Sequence, residues 1–195
     1  MKKYKQPIIK HLLNFDSLDK EGILYLLSRI NDYAALIADE NYRPPTTTKT
    51  MMNLFYEPST RAQYSFIMAA HYLGIYCMNP NMLTLSDQKG ESLVDTIQTF
   101  EAIGVDLFVI RHKESHIPNF LAGELNTNCH IINAGDGSNQ HPSQTLIDLV
   151  TIQQSLNRLS DLTITIIGDI RHSRVAHSFI DAANILQIGQ INLVG

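Results

Sequence analysis

The sequence predicts an α/β fold: a mainly parallel sheet with helices on both faces, forming a complete N-terminal domain and the start of a second, similar one. Three observations predict it. Short β-rich runs alternate with helical patterns, the signature of strands joined by crossover helices. Polar clusters sit where the strand candidates end. The chain has 195 residues, more than one domain of about 150 residues and less than two.

Leu18, Gly22, Leu26 and Ile30, with Ile23 and Leu27 beside them, make a helical stripe for an opening helix from Asp16 or Ser17. Met51 to Tyr56 is the first strand candidate. After EPSTR, the residues Phe66, Ala69, Ala70 and Leu73 fall at i, i+3, i+4 and i+7, and Gly74 is placed to end that helix. Val105 to Ile110 and Cys129 to Ala134 read as buried strands, each followed at once by polar residues. Pro142 suits a first-turn position, and the helix it opens runs through Leu146, Leu149 and Val150 to about Leu156. Asn157 to Asp161 is a polar break, Leu162 to Ile167 a strand and GDIRHSR a turn. Val175, Phe179, Ala182 and Leu186 then line one helix face, and Ile191 to Val194 starts a further strand. The expected division is residues 1–150 as the complete domain and 151–195 as the incomplete one.

Apolar residues make up 44% and charged residues 17%, which argues for a globular core and against a disordered chain. A net charge of −4 offers no footprint for nucleic acid or an anionic membrane, so an anion must be bound by a local cluster. Cys77 and Cys129 lie on apolar stretches without metal-ligand spacing, and are expected as buried free thiols in a reducing compartment. No cleavable leader and no apolar run of roughly 20 residues is evident, so a cytoplasmic location is expected.

Ligands of open α/β sheets bind outside the carboxyl ends of the strands, where helix N-termini present N–H groups. Three clusters meet that condition. In Glu57-Pro58-Ser59-Thr60-Arg61, Ser59 can cap the following helix while Thr60 and Arg61 supply donors to a phosphate. A lone Ser-Thr-Arg triplet is, however, more often a cap beside a solvated arginine. Arg111-His112 follows the Val105 strand, where basic residues also commonly end strands at the surface. Gly135 to Gln144 joins a strand to a helix, with His141 and Gln144 projecting from the helix start. His141 could polarise a carbonyl oxygen or merely cap the helix.

Taken together, these residues resemble the aspartate and ornithine carbamoyltransferase family. FYEPSTRAQYSF is similar to its FxEPSTRTRxSF signature, and INAGDGSNQHPSQTLIDLVTI to AGDGxxQHPTQxLLDLxTI of the aspartate branch. Lys89-Gly90-Glu91-Ser92 with Asp95-Thr96 matches KGE(T/S)xxDT, VIRH the strand-end arginine, and GDIRHSRVAHS the pattern GDxxxGRxxHS. The resemblance implies that Ser59, Thr60, Arg61 and the amide of Ala62 hold the phosphate of carbamoyl phosphate. Arg111 and His141 would touch its carbonyl oxygen, and Gln144 its amino group. Lys89 would enter the site of a neighbouring subunit, and Arg174 would meet an aspartate carboxylate. The implied reaction gives carbamoyl-aspartate and phosphate in pyrimidine biosynthesis, without metal or redox cofactor. The implied assembly is a homotrimer with shared active sites, with a regulatory chain as a further partner.

Three positions depart from the family pattern: Ala62 replaces the usual Thr, Ile67 the usual Glu, and Ser173 the usual Gly. Loss of one hydroxyl donor at Ala62 implies phosphate binding weaker by about 1 kcal/mol or somewhat more. The family's later aspartate-binding motifs fall beyond Gly195, so the 195-residue chain is expected to bind carbamoyl phosphate but turn nothing over. An ornithine-specific enzyme and a non-catalytic paralogue are the alternatives, separable with labelled carbamoyl phosphate and a panel of amino acids.

Overall fold

A computed structural model describes residues 4–85, 92–125 and 129–195. Its chain divides into two compact units: Lys10–Leu13 with Arg43–Gly137, and Met1–Ile9 with Asn14–Tyr42 and Ser138–Gly195.

The first of these units is built on a four-stranded parallel sheet. Its elements in chain order are β1 (Thr50–Phe55), α2 (Thr60–Tyr72), β2 (Tyr76–Met78), α3 (Met82–Leu85), α4 (Leu93–Ala102), β3 (Leu107–His112), α5 (Ile117–Glu124) and β4 (His130–Asp136); α1 belongs to the other unit. The strand order is β2-β1-β3-β4, with Met51 opposite Leu107 and Phe108 opposite Ile131. Alternation along the strands sorts the apolar side chains into two clusters. Met52, Leu54, Phe108, Ile110 and Ile131 meet Ile97 of α4 and Leu121 of α5 on one face. Met51, Phe55, Val109 and Ala134 meet Ala62, Phe66 and Ala70 of α2 on the other. Burial on both faces explains why these strands read as continuous apolar runs.

Segment Lys10–Leu13 runs along β4. The Leu12 amide donates to Ile131 O (2.8 Å), and the Asn133 amide donates to Leu12 O (2.9 Å). Side chains reinforce this pairing: His11 Nδ1 accepts from the Ile131 amide (3.0 Å), and Asn133 Nδ2 donates to Leu13 O (2.9 Å). Gly74 ends α2 with φ +67°, and a Cβ there would overlap Pro45 O, so the position requires glycine.

The second unit pairs β5 (Leu162–Ile167) with β6 (Gly189–Val194) in parallel and carries α1 (Lys20–Ile37), α6 (Pro142–Leu156) and α7 (Arg174–Leu186). A 3-10 turn, Ile170–His172, precedes α7.

Most expected elements are present, with shifted ends. Helix α1 starts later than Asp16 or Ser17, because Asp19 is its cap, accepting from the Gly22 amide at 2.7 Å; its buried face is Gly22, Ile23 and Leu27. Strand β3 begins two residues after Val105, whose amide still donates to Phe100 O at the end of α4 (3.1 Å). It continues through Arg111 and His112, so these residues belong to the strand and do not follow it. Strand β4 likewise takes in Gly135 and Asp136. The expected boundary at residue 150 falls inside α6. Cys129 is buried and donates to Val105 O (2.6 Å), whereas Cys77 is only half-buried.

Candidate functional site

In the four-stranded unit, the connection after β1 crosses by α2 on one face, and the connection after β3 crosses by α5 on the other. Neighbouring parallel strands whose connections leave to opposite faces define a switch point, and ligands of open sheets bind there, beyond the carboxyl ends. The residues at those two ends are Glu57 to Ala62 after β1 and Arg111 near the end of β3.

Ser59 occupies the N-cap of α2 with extended backbone (φ −157°, ψ 94°), yet its hydroxyl makes no capping hydrogen bond. The side chain therefore does not serve as the cap of this helix. Thr60 and Arg61 are exposed in the first turn, where the helix dipole and unpaired amides favour an anion. Ala62 is half-buried against Phe55, Ala70 and their cluster, so its methyl faces packing and its amide is the group it offers. Arg111 is only 11% exposed; its guanidinium donates to Glu57 Oε1 (2.5 Å) and Ala134 O (3.0 Å). The Tyr56 and Glu57 amides in turn donate to Arg111 O (2.9 and 3.3 Å). The arginine is thus fixed by the two strands that flank its own, through the residues just after β1 and through Ala134 of β4. Beside it, burial pushes the Tyr56 phenol up to about 12, so this ring stays neutral next to the His112 imidazole.

His141, Gln144 and Arg174 lie in the other unit. His141 is the N-cap residue of α6 and is 9% exposed. Its imidazole makes no capping bond, and Nδ1 lies 3.3 Å from Ser143 Oγ. The backbone caps; the ring does not. Gln144 Nε2 donates to Asp148 Oδ1 (2.9 Å), which makes Oε1 the acceptor end of that amide. Burial pushes the Asp148 carboxyl above its ordinary range, while the Gln144 bond pulls the other way. Arg174 opens α7 directly after its cap Ser173, which accepts from the Ala176 amide (3.2 Å).

Lys89, together with Ser86, lies outside the described residues. The end of its motif is described: Ser92 and Asp95 form a reciprocal capping box on α4, the Asp95 amide donating to Ser92 Oγ (3.1 Å). This lowers the Asp95 carboxyl, through its bonds from the Ser92 hydroxyl and amide. Sequence reasoning missed the residues that fix the loop before α6: His177, Ser178 and Asp181. Their signal was the HS pair of the GDIRHSRVAHS motif, which only a tertiary contact gives meaning. Among the described residues no group of three or more His, Cys, Asp or Glu could hold a metal ion, and no helix is long and apolar enough to cross a membrane.

Residues 10–154 match the family model for the aspartate/ornithine carbamoyltransferase carbamoyl-P binding domain. An aspartate carbamoyltransferase catalytic subunit of Coxiella burnetii (strain CbuK_Q154) is 46% identical over 186 residues, covering 95% of this chain and 60% of that protein. The corresponding subunit of Carboxydothermus hydrogenoformans is 46% identical over 170 residues, covering 87% and 54%. Among solved structures, the catalytic subunit of M. jannaschii aspartate transcarbamoylase superposes with a TM-score of 0.82 at 34% identity, covering 95% of this chain and 59% of that one. The Trypanosoma cruzi enzyme in complex with carbamoyl phosphate and aspartate superposes with a TM-score of 0.82 at 27% identity, covering 94% and 55%. The chain therefore spans somewhat over half the length of these relatives. With its motifs at the carboxyl ends of a parallel sheet and most of its length matched by the family model, the chain belongs to the aspartate/ornithine carbamoyltransferase family.

Proposed function

We propose that this chain carries the carbamoyl-phosphate-binding part of an aspartate carbamoyltransferase, which transfers a carbamoyl group from carbamoyl phosphate to the α-amine of L-aspartate. One observation carries the reading: Ser59, Thr60, Arg61 and Arg111 stand at the switch point between β1 and β3, where the fold class binds anions. The Ser59 hydroxyl, the Thr60 and Arg61 side chains and the Ala62 amide are assigned to the phosphate, and Arg111 to the carbonyl oxygen. In the other unit, His141 is assigned to the carbonyl oxygen, Gln144 Oε1 to the amino group, and Arg174 to an aspartate carboxylate. Attack by the amine places negative charge first on the carbonyl oxygen and then on the leaving phosphate. Preorganised donors that bind those oxygens more tightly as charge develops lower the barrier.

On this reading residues 1–150 form the carbamoyl-phosphate domain and 151–195 open the aspartate-binding domain, in keeping with the family match over 10–154. The product feeds pyrimidine biosynthesis in the cytoplasm. The assembly is a homotrimer in which Lys89 completes a neighbour's site, with a regulatory chain as a further partner. The test uses a chain extended to the relatives' full length, given isotope-labelled carbamoyl phosphate and a panel of amino acids. Label is expected in carbamoyl-aspartate; label in carbamoyl-ornithine, or in no product, overturns the reading. Mixing full-length Arg61→Ala and Lys89→Ala proteins should restore some activity through hybrid trimers, and no recovery despite proven subunit exchange overturns the shared site.

A further inference from the structure

Three side chains of α7 reach back to the loop that precedes α6. His177 Nδ1 lies 2.8 Å from Ser138 O, the His141 amide donates to Ser178 Oγ at 2.6 Å, and Gln140 Nε2 donates to Asp181 Oδ2 at 2.8 Å. They sit at i, i+1 and i+4 of one helix and take hold of residues 138, 141 and 140 respectively. Ser178 is the middle member and is fully buried. Its hydroxyl has one proton, which goes to Arg174 O (2.7 Å), so the oxygen is left as a pure acceptor toward the His141 amide.

From this arrangement we infer that Ser178, flanked by His177 and Asp181, is a positioning residue that fixes the backbone of His141 and through it the imidazole. This deepens the carbamoyl-phosphate reading and rests on it for the ligand alone. The physical reason is the conformation His141 must keep. As the N-cap of α6 it stands outside the helical region (φ −146°, ψ 68°), and its own side chain is not used to stabilise the cap. Pro142 keeps the preceding His141 out of the helical region but leaves a broad extended range open to it, so an N-cap whose side chain does not cap still relies on an external partner to hold one conformation within that range. Ser178 is that partner. The same hydroxyl ties this backbone to the carbonyl of Arg174, so the first turns of α6 and α7 share one oxygen.

The test uses the 195-residue chain and its Ser178→Ala variant, with two readouts. Hydrogen exchange of the His141 amide should speed up by about tenfold in the variant, the scale of one buried hydrogen bond. By calorimetry, carbamoyl phosphate should bind about tenfold more weakly, while inorganic phosphate, which lacks the carbonyl, should bind within about twofold of the unsubstituted chain. A merely structural role would weaken both ligands together, and that result overturns the inference. Unchanged exchange at His141 also overturns it. If Ser178→Ala does not fold, Asp181→Asn decides: it loosens the Gln140 contact without opening a core cavity and should move both readouts in the same direction by about threefold. If the unsubstituted chain binds neither ligand, the carbamoyl-phosphate reading fails, and His141 exchange alone decides the positioning role.

Discussion

The two sheets of this molecule invite comparison. In the four-stranded sheet Phe108, Val109, Ile110 and Ile131 are fully buried, with helices on both faces. In the two-stranded sheet Ile167 is 76% exposed, and Leu193 and Val194 are about half exposed. Both sheets are parallel, but β5 and β6 interleave Thr163, Thr165, Gln190 and Asn192 with their apolar residues, whereas Leu107 to Ile110 of β3 form an unbroken apolar run. What separates their apolar residues is coverage. An apolar parallel strand stabilises a fold only through the layers packed against it, and the same residue types contribute very differently in the two places.

The largest expected effect sharpens that contrast. Phe108→Ala should lose about 3–5 kcal/mol in urea unfolding, as transfer and cavity terms add in a closed core. Ile167→Ala should stay within about 0.5 kcal/mol. Equal losses would break the comparison. The next effect concerns the ligand end of the covered sheet. Arg61→Ala should weaken inorganic phosphate by roughly tenfold to a hundredfold in calorimetry, since a charge-assisted hydrogen bond contributes about 1.5–3 kcal/mol. Unchanged affinity would remove the first turn of α2 from the site. Ala62→Thr should tighten phosphate by up to about tenfold through a new hydroxyl donor. Because Ala62 already packs on the cluster containing Phe55 and Ala70, weaker binding would mean that the extra atoms are accommodated only by displacing the turn.

The smallest effect is a pH dependence at the edge of the covered sheet. His11 accepts from the Ile131 amide and must be neutral to do so. Burial, with Lys10 and His130 nearby, lowers its pKa below the usual histidine value. The unfolded chain therefore binds a proton at a higher pH than the folded one. The stabilisation is fully present above the ordinary histidine range near pH 6.5 and is lost as pH falls through the lowered folded value. After correction for intrinsic exchange rates, amide exchange at Leu12 and Asn133 should quicken on acidification, and a His11→Gln variant should flatten the profile. Equal pH dependence in both proteins would assign the effect elsewhere.

How much of this was legible depended on which signal each element uses. Helix α6 was read to its ends, because Pro142 fixes its first turn and Asn157 takes a left-handed conformation (φ 54°) immediately after it. Strand β5 was equally clear. Strand β3 was displaced because hydrophobicity reports side chains, while a ladder is made of backbone groups: Val105 is buried outside the strand and Arg111 is paired within it. The short β2 and the helices α4 and α5 did not emerge from periodicity, although the Ser92–Asp95 capping box was present in the motif. At the site, local motifs placed Ser59 to Arg61 and His141 at helix starts. That Ser59 and His141 do not use their side chains as caps was not legible, and neither was the contact from Ser178, 37 residues further along the chain. The first depends on rotamers, the second on packing between helices.

The sheet order leaves β2 and β4 as outer strands, and an outer strand offers unpaired amides and carbonyls to any other extended chain. One side is protected by brevity, since β2 has only three residues. The other is protected by occupancy, because residues 10–13 already lie along β4 and use the amides of Ile131 and Asn133. The N-terminal segment thus occupies the backbone groups through which another extended chain would pair. A chain trimmed past Leu13 would keep both hydrophobic clusters of buried residues and the candidate anion site, yet present a naked strand of Ile131, Ile132 and Asn133, and its first failing would be aggregation in concentrated solution.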